Sequence, residues 1–174
     1  ARAWLGVGLA LAGGCADPVL QAQLEALGPE NPRVPIGPLH RPGQPCLLCH
    51  SATGTASRFT AAGTVFLTPA AQQLVAGVEI QLIDASRRWF RAYTNCAGNF
   101  FVTPQEYEPR MPLWVSLAKQ GQRIDMESAM NKDGDCATCH QGSKNPSSAG
   151  PVYLIEEPMR GDAAPTDSCG GVVP

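Results

Sequence analysis

Residues 61–102 read AAGTVFLTPAAQQLVAGVEIQLIDASRRWFRAYTNCAGNFFV, and from residue 61 the pattern repeats every two residues. In GVEIQLID (77–84), Val78, Ile80 and Leu82 fall on one side of an extended chain, while Glu79 and Gln81 fall on the other. Successive side chains of a strand alternate in this way. GTVFL (63–67), RWFRAYT (88–94) and GNFFVT (98–103) are rich in β-branched and aromatic residues, which suit a pleated, half-buried surface. Further along, PLWVSLA (112–118) sets Leu113, Val115 and Leu117 against Trp114 and Ser116. Turn residues separate the runs at Asp84–Ser86 and at Asn95–Asn99, as a hairpin requires. Five or more short strands at this spacing predict a mainly β fold, a small antiparallel β-sandwich over residues 61–118.

Composition agrees. The chain has 174 residues, enough for one domain and a tether. It is 44% hydrophobic and 16% charged, a globular balance, and its 18 glycines and 16 prolines favour loops and short strands over long helices. The formal charge of −2 leaves no basic footprint, so nucleic acid is not an expected partner.

Chemistry is concentrated in two short stretches, CLLCH at 46–50 and CATCH at 136–140, which hold four of the seven cysteines and two of the three histidines. Cys-x-x-Cys-His is the attachment pattern of a c-type haem. Its two thiols can form thioethers to one porphyrin edge, and the adjacent imidazole can ligate the iron. A zinc site would place its two Cys pairs about 12 to 20 residues apart. It would also need only four ligands, leaving both histidines surplus. A thioredoxin-like pair would lie beside a βαβ pattern, which neither stretch has. The expectation is two covalent haems, one on Cys46, Cys49 and His50 in segment 46–60, the other on Cys136, Cys139 and His140 in segment 119–174.

His50 and His140 are the proximal iron ligands by position. His40 is the only other histidine, so this chain cannot supply two bis-histidine irons. Met111, Met126, Met130 and Met159 are also available. His40 lies six residues before Cys46 and Met130 six before Cys136, and this parallel marks both as distal candidates, to their own haem or the other one. Met126 is a weaker candidate. Two plainer readings stay open: His40 as a solvated loop residue, and Met126 with Met130 as core filling at i, i+4 spacing. A Met/His pair raises the potential relative to two histidines, so one haem of each kind would form a graded pair. An open sixth position would instead admit small ligands.

The first stretch, ARAWLGVGLALAGGC (1–15), resembles the end of an export signal, with Arg2, an apolar run and small residues before Cys15. It is shorter than the roughly 20 apolar residues of a bilayer-spanning helix. LAGGC is similar to a bacterial lipobox, although Ala12 stands where leucine is usual and Leu11 lies one step further off. The resemblance implies lipid attachment at Cys15 and, with Ala16 rather than aspartate next, an outer-membrane anchor facing the periplasm or the cell surface. An ordinary signal peptide cut nearby is the alternative. Export also suits haem attachment, because bacterial c-type cytochromes are assembled outside the cytoplasm. Cys96 and Cys169 are then left over, and in an oxidising compartment they read as a disulfide. It would close a loop of about 70 residues, worth about 4 kcal/mol in the chain-entropy view.

Residues 16–45 are expected to form a tether. PVLQAQLEAL (18–27) repeats Leu20, Leu24 and Leu27 at helical spacing. Six prolines follow within 28–46, predicting a semi-rigid, extended segment.

The stretch from residue 61 to 102 resembles a carboxypeptidase-regulatory-like domain in its Gly-Thr-Val opening strand, its GVEIQL second strand and its TNxxGNF turn. The resemblance implies an immunoglobulin-like or transthyretin-like sandwich with no catalytic role. The flanks, HRPGQPCLLCH and MNKDGDCATCH, are similar to those of a small group of secreted bacterial cytochromes with such a sandwich between two haem sites. No Ser-His-Asp set, carboxylate cleft or phosphate loop competes. Asp133 and Asp135 around Gly134 read as a turn, and Glu156–Glu157 as a solvated acidic pair or a docking feature. The chain reads as a dihaem electron carrier serving other cytochromes, redox proteins or a membrane electron-transfer complex. Two alternatives stand beside it. One is a peroxidase-like dihaem enzyme with an open iron and His40 as its acid–base group. The other is a docking subunit of a larger respiratory or photosynthetic complex.

Overall fold

The alternation in residues 77–84 is realised as strand β2 (Glu79–Asp84), whose Ile80 and Leu82 are buried while Ile83 faces outward. A computed structural model describes residues 17–54, 56–70, 73–155 and Cys169. Within them the chain is mainly β, with β1 (Ala61–Thr64), β2, β3 (Trp89–Tyr93), β4 (Asn99–Val102), β5 (Leu113–Lys119) and β6 (Gln122–Asp125). β1 pairs antiparallel with β4, and a second antiparallel sheet runs β3-β2-β5-β6. Ala61, Phe100 and Val102 of the first sheet share one core cluster with Ile80, Leu82, Ala92, Leu113 and Leu117 of the second. Two antiparallel sheets around a common core are consistent with the expected small β-sandwich.

Both expected turns are present. At the first, Arg87 takes a positive φ of 62°, and the buried Asp84 carboxylate organises the loop. Its Oδ1 accepts from Ser86 N, Ser86 Oγ and Arg88 N, and its Oδ2 from the Arg88 guanidinium and Arg110 N. Burial alone would push this carboxyl up, but these donors, Ser86 and Arg110 foremost, hold it well below the usual carboxylate range. At the second turn, Asn95 Oδ1 accepts from Ala97 N and Asn99 N. The Cys96–Cys169 disulfide is formed there, with Cα atoms 5.3 Å apart.

The structure departs from expectation in three places. The larger sheet continues past residue 118, through a tight turn at Gln120 (φ 49°) and Gly121 (φ 82°), into β6. Positive φ at both central residues is what a two-residue hairpin needs. Ser116 is buried although its pattern position is outward. Arg123 Nη1 donates to Gln81 Oε1 across β5, the strand that carries Ser116. The proline-rich segment runs through turns and bends rather than extended, and it lies against the sandwich. Asn95 and Asn99 amides donate to the carbonyl of Pro38, Gly43 N donates to Thr64 Oγ1, and Val34 is buried. Before it, α1 (Pro18–Ala26) is capped by Asp17 and buries no residue fully.

On the outer face of the larger sheet, Trp89, Ile83 and Trp114 stand side by side across β3, β2 and β5, all exposed. On the other side of the molecule the two Cys-x-x-Cys-His stretches meet at β1. No helix among the described residues is long and apolar enough to cross a membrane. Cys15, Ala16, Glu156, Glu157 and Met159 lie outside the described residues.

Candidate functional site

The two stretches fold alike. Each begins as a short 3₁₀ turn, Cys46–Leu48 and Cys136–Thr138. In the first, Cys49 N and His50 N donate to Cys46 O at 3.2 and 3.0 Å. In the second, Cys139 N and His140 N donate to Cys136 O at the same two distances. Residues three apart eclipse one another in such a turn, which places the two thiols of each pair on one side of it.

The histidines are oriented alike as well. His50 Nδ1 lies 2.6 Å from Ser57 O, and His140 Nδ1 lies 2.9 Å from Gly150 O. A carbonyl can only accept, so Nδ1 carries the proton and the Nε2 lone pair is left to bind a metal. Fixing the remote ring nitrogen on a carbonyl is the usual means of orienting a metal-binding imidazole. His40 shares the device, with Nδ1 against Gly37 O. Its ring centre lies 5.9 Å from that of His50, which also stacks on Phe59 at 4.0 Å, with Phe101 next in the row.

Both turns are docked on β1. Gly134 O accepts from Ala62 N at 3.0 Å. Cys136 sits against Gly63 so tightly that a Cβ there would lie 2.8 Å from the cysteine Cβ. Asp135 ties the turns together. Its Oδ1 accepts from Ala137 N in its own turn at 3.2 Å, and its Oδ2 accepts from Leu47 N in the other turn at 2.9 Å. Pro45, at the head of the first turn, offers no cap of its own. One carboxylate therefore caps both turns.

The four thiols are free, Cys139 exposed and the others half-buried. Burial, reinforced by the Asp135 carboxylate, pushes the Cys46 thiol up to about 12 and raises Cys136 as well. Asp135 is itself pushed up to about 6 by burial, against the pull of the Leu47 and Ala137 amides. A raised Cys46 thiol does not suit a thioredoxin-like pair, whose nucleophile needs a lowered pKa. Among the described residues no three of His, Cys, Asp and Glu converge as a metal cluster would. The residues present fit a covalently held haem at each turn: two thiols and one imidazole with Nε2 open.

No known family model, curated protein or solved structure matches this chain.

The methionine candidates are placed differently from His40. Met130 exchanges both backbone hydrogen bonds with Leu113, and its side chain packs against the core cluster, as does Met111. Met126 N donates to Val115 O, extending the β5 edge. Met130 is thus partly buried beside the core, which suits core filling and leaves the distal position open to it. Asp135 was legible only as a turn residue. Its place directly before the second turn is a capping position, but no sequence signal links it to Leu47, 88 positions away.

Proposed function

We propose that this chain is an exported dihaem c-type cytochrome that carries single electrons between redox partners. The observation that carries the reading is the duplication of one turn geometry, each copy with an imidazole whose Nδ1 is fixed on a backbone carbonyl. Cys46 and Cys49 would hold one haem and Cys136 and Cys139 the other, with His50 and His140 as proximal ligands. A bound haem supplies a one-electron Fe(III)/Fe(II) couple. The protein contributes attachment, ligand orientation and a fixed frame, which is the division of labour expected of a cofactor protein. His40 stands beside His50 with its Nδ1 against Gly37 O, and this favours a closed iron there, and so a carrier, over a peroxidase-like enzyme. Met130 and Met126 remain the distal candidates of this chain for the second iron.

The sheet order and shared core support an immunoglobulin-like or transthyretin-like sandwich as scaffold, of the carboxypeptidase-regulatory-like kind. Lipid at Cys15 would anchor the protein to the outer membrane, within reach of other cytochromes or of a membrane electron-transfer complex. The test is the intact mass, under denaturing conditions, of protein matured in an exporting bacterium with haem-attachment machinery. The mature polypeptide plus two haem groups, with the lipid that Cys15 would carry, is expected. The mass of the bare chain, of one haem adduct or of a zinc complex overturns the reading.

A further inference from the structure

We infer that Asp135 is a positioning residue that locks the two haem-attachment turns into one fixed, closely spaced pair. The inference rests on the dihaem reading and adds to it a relation between the two sites.

Capping alone does not explain an aspartate here. Serine, threonine or asparagine would satisfy the amide of Ala137 equally well. Asp135 is buried, and burying a carboxylate is costly unless its oxygens are bonded. What aspartate offers is two acceptor oxygens and no donor. Both are used, one on each turn. The two contacted residues also correspond, because Leu47 and Ala137 each follow the first cysteine of their motif. Without Asp135 the Leu47 amide would lose its cap, because Pro45 supplies none.

The remaining contacts make the pair rigid. Ala62 N holds the second turn through Gly134 O, and Cys136 rests on Gly63. Gly43 N, just before the first turn, donates to Thr64 Oγ1. Three consecutive residues of β1 thus form a common floor. Standard bond lengths along the path Cys46–Leu47 N–Asp135–Cys136 limit the separation of the two cysteine Cα atoms to below about 13 Å. The influence of Cys46 on the Cys136 thiol agrees with this proximity. Two porphyrins held through Cys46 and Cys49 and through Cys136 and Cys139 would be neighbours, each supplying a one-electron couple.

Neighbouring haems couple their Soret transitions, so circular dichroism of the matured protein reports the pair directly. The wild type should give a two-signed Soret couplet. Asp135→Asn and Asp135→Ser each keep an oxygen for Ala137 but lose the second acceptor facing Leu47. In both, the couplet should fall to less than half, with two haems still present by mass and an unchanged absorption spectrum. A purely structural role would lower thermal stability and leave the couplet of the folded protein intact. An undiminished couplet in the folded variants overturns the inference. So does a wild type that carries two haems and shows no couplet, a result that needs no variant to fold. A wild type without two haems overturns the dihaem reading instead.

Discussion

The imidazole rings of His40 and His50 stand 5.9 Å apart, tilted by 36°. His40 and His50 are the two imidazoles of this chain that would hold one haem iron between them, each with Nδ1 on a backbone carbonyl. His40→Ala should leave both haems attached, because the thioethers do not involve it. One iron should become high-spin and bind carbon monoxide, and its potential should rise with the loss of a nitrogen donor. Unchanged spectra, with and without the gas, would assign the distal position to another residue.

The Cys96–Cys169 bridge closes a span of 73 positions in a chain with a small core. Replacing both cysteines by alanine should lower stability by about 4 kcal/mol. Denaturant unfolding of the double variant measures this, and peptide mapping without reduction should recover the two segments of the wild type linked.

Asp84 sets an acid limit on the fold. Its carboxyl is held below the usual range, so its contribution is fully present above the unfolded value near 4 and fades as pH falls below it. Thermal midpoints of the wild type should drop as pH is lowered through that region. Asp84→Asn should be less stable at neutral pH and show a shallower acid decline. Parallel pH profiles for the two proteins would refute this.

Gly63 tests the seat of the second turn. A methyl group there would meet Cys136 Sγ at 2.9 Å and Phe100 Cε1 at 3.1 Å, neither of which can move freely under β1. Gly63→Ala should cost about 1 to 3 kcal/mol, as overpacking in a core does. A thermal midpoint equal to that of the wild type would mean that the turn does not rest there.

Periodicity disclosed most of the fold, because one face of β2 and β5 is buried and alternation then leaves a clear trace. It missed β6, whose Gln122, Arg123 and Asp125 carry no apolar stripe and lie at a sheet edge. It misjudged Ser116 because alternation tells which face a residue is on, not that β2 and β6 flank it on both sides. The proline-rich segment looked free because its anchors, Asn95, Asn99 and Thr64, lie on distant parts of the chain. At the candidate site, the cysteines and histidines were legible from spacing alone. Their carbonyl partners were not, because the return loops to Ser57 and Gly150 differ in length and sequence.

The Cys96–Cys169 bridge also bears on the order of assembly. Its span encloses Cys136 and Cys139, so the oxidant that forms it could equally join the wrong partners. Six thiols can pair in many ways, whereas two can pair in only one. Capturing four of them as thioethers before oxidation leaves a single product, so haem attachment would act as a proofreading step for the disulfide. A chain oxidised first would enter a maze of mispaired isomers, with its attachment thiols already spent.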